Sequence, residues 1–217
     1  LGASSPKLGG VINLNGFINL IQFDCLNNDI ESLEISSAEN SIEWLNVQNN
    51  KLTTFPVISN LTSLKRLYVT GNEITGSIPS LSSNTSMQHF HCANNSLTGS
   101  IPSLSSNTSL IVCQCRQNSL TGSIPSLSSN ANLVIFDCYN NSLTGFSGGV
   151  SITLTSFSAH DNALTVNAVN SILAAFVAAG ASGGILKLGG SGNAAPTGQG
   201  IADVTTLSNR GWFVVTN

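Results

Sequence analysis

Charge is what this chain lacks most. Only 8% of its 217 residues are Asp, Glu, Lys or Arg, where ordinary domains carry about 25%. Seven Lys and Arg stand against ten Asp and Glu, for a net charge of −3. There is no basic run, which argues against nucleic acid as a partner. No apolar run reaches the roughly 18–20 residues of a membrane span. The best candidate, Ile172 to Ala179, is short and alanine-rich, so no membrane insertion is expected. No secretory signal is visible, and a chain opening on Leu1 reads as a mature or trimmed product. Signatures of chemistry are missing too. No G-x-S-x-G joins a strand to a helix. The glycine-rich run GGSGNAAPTGQG lacks the G-K-[ST] of a phosphate loop. No C-x-x-C or other zinc spacing occurs. No catalytic residue, metal or cofactor is expected.

Ser, Thr, Asn and Gly fill the surface instead, and they recur in order. The segment from Leu110 to Pro125, LIVCQCRQNSLTGSIP, carries the skeleton L-x-x-C-x-C-x-x-N-x-L. The same skeleton stands upstream at Met87, Phe90, Cys92, Asn95 and Leu97, and downstream at Leu133, Phe136, Cys138, Asn141 and Leu143. Asparagine marks every unit: Asn28, Asn50, Asn72, Asn95, Asn118, Asn141 and Asn162, at steps of 22, 22, 23, 23, 23 and 21 residues. A period of 20–29 with this pattern resembles the leucine-rich repeat family, and Leu120-Thr-Gly-Ser-Ile-Pro125 looks like its L-t-G-x-I-P subtype.

That resemblance implies an α/β solenoid: a right-handed leucine-rich repeat with mostly β and 3₁₀ units. Residues 1–19 read as a degenerate cap covering the first strand edge, because an open edge invites pairing with other chains. Residues 20–164 hold seven repeats, and 165–217 a C-terminal αβαβ cap. In each repeat the L-x-x-L-x-L part alternates as a short strand. The marker asparagine then turns inward, where its amide can satisfy backbone groups and stack into a ladder. T-G-S-I-P is expected to break the strand, and SIPSLSSNTS to return along the outside with Ile and Leu pointing in. Asn107, on that return, is read as solvated, so its loss should cost little, against roughly 1–3 kcal/mol for Asn118. Five N-x-S/T sequons, at Asn60, Asn84, Asn94, Asn107 and Asn140, follow from composition. After Thr165 the residues Val169, Ile172, Leu173, Phe176 and Val177 predict an amphipathic helix stopped by Gly180. Ile185–Leu188 predicts a strand, Ile201, Val204 and Leu207 a second helix, and Trp212–Thr216 a last strand. The five cysteines occupy inward positions and read as buried free thiols.

Outward strand positions form columns. One runs Gln22, Trp44, Arg66, His89, Val112, Ile135, Ser156. The next runs Asp24, Asn46, Tyr68, His91, Gln114, Asp137, Ser158. A third, just past the strand, runs Leu26, Gln48, Thr70, Ala93, Arg116, Tyr139, His160. With strands about 4.8 Å apart, Trp44, Arg66, Tyr68, His89 and His91 make one patch. Trp, Tyr and Arg are enriched at binding hot spots, and such a face also suits a sugar ring. Asp24 and Asp137 stand five repeats apart and cannot cooperate as acid and base.

The run from Leu188 through GGSGNAAPTGQG to Phe213 and the terminal VVTN resembles a C-terminal segment of bacteriophage tail and virion proteins and of some bacterial surface proteins. It implies an extracellular or virion-surface setting and no catalytic residue. The expected function is therefore non-enzymatic: a virion recognition or structural module contacting a protein, a cell-surface glycan or other virion proteins. The alternatives are a bacterial surface adhesin and an ice-binding protein. The mixed strand columns disfavour the latter.

Overall fold

The structure, a computed structural model, describes residues 6–35 and 41–217. Inner strands are three or four residues long because each repeat offers only one short alternating run. They are β2 (Gln22–Asp24), β4 (Trp44–Asn46), β5 (Arg66–Tyr68), β7 (His89–His91), β9 (Val112–Gln114), β11 (Ile135–Asp137), β13 (Ser156–Ser158), β14 (Gly184–Lys187) and β15 (Trp212–Val215). These make one nine-stranded parallel sheet in the order β15-β14-β13-β11-β9-β7-β5-β4-β2. The middle residue of each repeat strand points inward: Leu45, Leu67, Phe90, Cys113, Phe136 and Phe157 are buried in one continuous core. Their flanking neighbours pair across strands in strict register, Arg66 with His89 and Tyr68 with His91, for example. The fold is thus a β-solenoid of leucine-rich-repeat type.

On the opposite side of each turn lie short outer strands: β1 (Gly9–Asn13), β3 (Asp29–Glu34), β6 (Thr75–Ser77), β8 (Ser96–Thr98), β10 (Thr121–Ile124) and β12 (Ser142–Phe146). They pair in parallel as β1-β3, β6-β8 and β10-β12. The Thr-Gly-Ser stretch expected to end strand pairing therefore makes a ladder of its own. Behind it, Ile78, Leu81, Ile101, Leu104, Ile124 and Leu127 point into the core. The N-terminal segment also differs from expectation. Strand β1 pairs with β3 on the outer side, and β2 stays the terminal strand of the inner sheet. The post-asparagine stretch of the first turn, not its inner strand, is what residues 8–13 cover; residues 1–5 of the expected cap lie outside the described residues.

The marker asparagines tie the turns together. Asn118 accepts the backbone N–H of Leu97 at 3.0 Å and donates to the carbonyls of Cys92 and Cys115 at 3.1 and 3.2 Å. Asn50, Asn72, Asn95, Asn141 and Asn162 repeat this bonding on their own turns. Asn28 accepts from Leu8 and donates to Cys25. The series runs one step further, to Asn193, which accepts from Leu164 at 2.9 Å and donates to Ala159 and Leu188. The residue before each of these is held at positive φ: Asn27, Asn49, Gly71, Asn94, Gln117, Asn140, Asp161 and Gly192. Left-handed backbone favours Gly, Asn and Asp, so the N-N pairs of the sequence are a conformational requirement. Gln117, at φ 57°, is the departure.

A second asparagine ladder runs along the outer returns and overturns the solvated reading of Asn107. Asn84, Asn107 and Asn130 are fully buried. Asn107 donates to the carbonyls of Leu81 and Asn84 at 3.0 and 2.9 Å, and Asn130 to those of Leu104 and Asn107 at 2.9 Å each. Return segments end inside the molecule, where backbone carbonyls need donors. The sequons at Asn84 and Asn107 are accordingly inaccessible to modification in the folded chain.

The last turns replace outer returns with helices. α1 (Val166–Ala179) is capped by Thr165, which accepts the Ala168 N–H, and ends at Gly180 with φ 70°. It buries Ala168, Val169, Ile172, Leu173 and Phe176. α2 (Gln199–Asn209) buries Leu207 and the small Gly200, but Ile201 faces solvent. An aromatic chain joins these turns to the array: Phe136 to Phe157 at 5.6 Å, Phe157 to Phe176 at 5.5 Å and Phe176 to Trp212 at 5.0 Å. All five cysteines are free; Cys92, Cys113, Cys115 and Cys138 are buried and Cys25 is half-buried.

Candidate recognition face

The solvent side of the inner sheet gathers Trp44, Arg66, Tyr68, His89 and His91 from β4, β5 and β7. Their positions follow from register alone, since outward residues of adjacent strands must neighbour each other. The Tyr68 ring sits 4.7 Å from His91 and 6.3 Å from His89, edge-on to both. Trp44 meets Tyr68 edge-on at 6.2 Å. The Arg66 guanidinium lies 5.3 Å from the Trp44 ring centre, within cation–π range.

Electrostatics follow from this crowding. His91 is pushed down to about 4, by burial first and then by His89 and Arg116. His89 is lowered by burial and by Arg66. Burial raises the Tyr68 phenol. Both imidazoles are therefore neutral at pH 7. The buried Trp44 Nε1 and His91 Nε2 find no hydrogen-bond partner among the described residues. His89 and His91 have no third ligand beside them, and the described residues contain no cluster of three or more metal-ligating side chains.

The structure adds a second group that the sequence columns named but did not join. Tyr139 is stacked on His160 at 4.4 Å and 15°, and Arg116 lies 5.5 Å from its ring centre. Arg116, Tyr139 and His160 come from three successive turns, so Tyr139 is held between its two neighbours. His160 is lowered chiefly by burial, with Asp161 opposing. His91 pairs with Gln114 on the next strand, and Arg116 follows Gln114 by two residues on the same side, so the two groups form one surface. It descends diagonally, one turn and one column per step, through Arg66, His91 and Arg116. An open groove of about 790 Å³ lies apart from it, lined by Gly148, Gly149 and the alanines of α1; no titratable side chain lines it.

The solenoid and its open sheet face are those of a leucine-rich-repeat fold. The Leucine Rich Repeat family model matches residues 63–84, one turn around β5. Among solved structures, PEPR1–AtPEP1 is similar at 24% identity and a TM-score of 0.74, over 94% of this chain and 30% of that one. The plant peptide hormone receptor RGFR1 in complex with RGF2 is similar at 28% identity and a TM-score of 0.59, over 73% of this chain and 31% of that one. The functional domain of InlJ from Listeria monocytogenes, which includes a cysteine ladder, shares 20% identity with a TM-score of 0.58, over 89% of this chain and 44% of that one. The chain thus spans less than half the length of each. No curated protein sequence matches it.

Proposed function

We propose that this protein is a non-enzymatic extracellular recognition module that binds a protein or cell-surface partner through the sheet face around Trp44, Arg66, Tyr68, His89 and His91. One observation carries the reading. The chain has three His, two Tyr, two Trp and seven Lys and Arg in all. Every His, both Tyr, Trp44 and two of the three Arg stand on this one face, with Arg116, Tyr139 and His160 extending the patch. Core packing does not explain them, since they point away from the core. In a chain surfaced by Ser, Thr and Asn, that concentration marks a contact surface of hot-spot composition.

The likeness to a peptide hormone receptor supports a protein partner. The resemblance of the C-terminal run to phage tail and virion proteins supports a virion-surface setting, with a bacterial surface adhesin as the alternative. Attachment of the labelled protein to candidate host cells tests the proposal. Trp44→Ala and Tyr68→Ala should each abolish attachment while leaving the melting curve unchanged. Normal attachment by both variants, with loss on changing Ser103 and Ser105, would place the contact on the outer face instead.

A further inference from the structure

The recognition face leaves its cations unpaired while its rings are occupied, and that contrast selects a ligand. The Arg66 side chain makes no hydrogen bond or ion pair among the described residues; its guanidinium rests on Trp44. Arg116 donates only to the neighbouring Gln117 side chain, at 2.8 Å, and meets no carboxylate. The acids on the same sheet face are already engaged. Asp24 stands on the terminal strand β2, and Asp137 on β11, beside the strand that leads to Arg116. Asp24 accepts from Asn46 at 3.1 Å and Asp137 from Gln114 at 2.9 Å. The ring faces are less available. Tyr139 has Arg116 on one side and His160 on the other, and Tyr68 is surrounded by Trp44, His89 and His91. A bare aromatic platform for a sugar ring is not what this surface offers. It offers guanidinium donors, which match carboxylates in planar, two-pronged pairs.

We infer that the ligand of this face is an acidic peptide segment whose carboxylates pair with Arg66 and Arg116 across the imidazole of His91. The inference rests on the reading of this face as the recognition surface. Geometry supports an extended chain. One strand step is about 4.8 Å and one column step about 6.6 Å, so each diagonal step is about 8 Å. The two arginines stand two such steps, about 16 Å, apart, and glutamates four residues apart on one side of an extended peptide fall about 13 Å apart, a gap their side chains close. The low charge of the rest of the chain leaves little to compete for such a ligand.

Titration calorimetry with the full chain tests this. The probes are a peptide of alternating serine and glutamate, its serine–glutamine counterpart, and an oligogalacturonate of matched charge. The glutamate peptide should bind, more weakly as salt rises, and Arg66→Gln and Arg116→Gln should each weaken it about tenfold. The salt dependence of the unaltered protein is a readout that needs no variant. Equal binding of the glutamine peptide, lost in Trp44→Ala, would overturn the acidic ligand and leave the recognition face standing. Tighter binding of oligogalacturonate would overturn it in favour of an acidic glycan. Binding of the glutamate peptide unaffected by Arg66→Gln, Arg116→Gln and Trp44→Ala would remove both this inference and the face.

Discussion

Asn107 donates its side-chain amide to the backbone carbonyl of Asn84 at 2.9 Å, exactly one turn upstream in the repeat and inside the core. Asn118 donates to Cys92 on the inner side of the same pair of turns at 3.1 Å. Each turn is therefore pinned to its predecessor from both edges. Asn118→Ala should cost about 1–3 kcal/mol, because it leaves the Leu97 N–H without its acceptor. Asn107→Ala should cost a similar amount, because two buried hydrogen bonds are lost from the Leu81 and Asn84 carbonyls, each of which keeps only its backbone donor. Denaturant midpoints check this. A negligible loss for Asn107→Ala would show that the outer ladder bears no load.

Gln117 sits at φ 57°, in a place where the other turns carry Gly, Asn or Asp. Left-handed backbone costs a residue of this kind about 1–2 kcal/mol, and glycine returns part of that as lost chain entropy. Gln117→Gly should raise stability by about 0.5–1 kcal/mol, read as a shift of the urea midpoint at constant slope.

The depressed His91 makes stability depend on pH. Its folded pKa, about 4, lies below the unfolded value near 6.5, so between these values the unfolded chain binds more protons. The stabilising contribution is complete above about pH 6.5 and is lost as pH falls toward 4. His89, lowered by burial and Arg66, acts in the same direction; the groups facing the pair are Tyr68, Arg66 and Arg116. His91→Gln should flatten the acid limb of the stability curve measured from about pH 7 to pH 4.

Thiol reactivity should divide the cysteines. Burial raises the thiols of Cys92 and Cys138, and Cys113 is raised first by its hydrogen bond with Cys115 and then by burial. The Cys25 thiol is raised as well, by burial and then by Asp24, but the residue is only half-buried and stays within reach of reagent. Iodoacetamide at neutral pH should label Cys25 in the native protein and the other four only after unfolding, as mass spectrometry would show. Native labelling of Cys115 would mean that the core opens locally.

Period and alternation were enough to place the inner strands, the asparagines from Asn28 to Asn162 and both helices, because each depends on residues close in sequence. A period-two strand must send Trp44, Arg66 and His89 to one side, and constant spacing must then align them. Tertiary structure decided the rest. Asn193 escaped the pattern because α1 stretches its step from the usual 22 or 23 residues to 31. Asn107 looked solvated because it stands among serines; only closure of the turn shows that its amide faces carbonyls from the turn before. Strand β1 joined the outer ladder rather than the inner edge, a choice made by which backbone groups the first turn left open. Arg116, Tyr139 and His160 became one stack through side-chain packing between turns, and sequence period describes the order of turns but not how their side chains lean on one another.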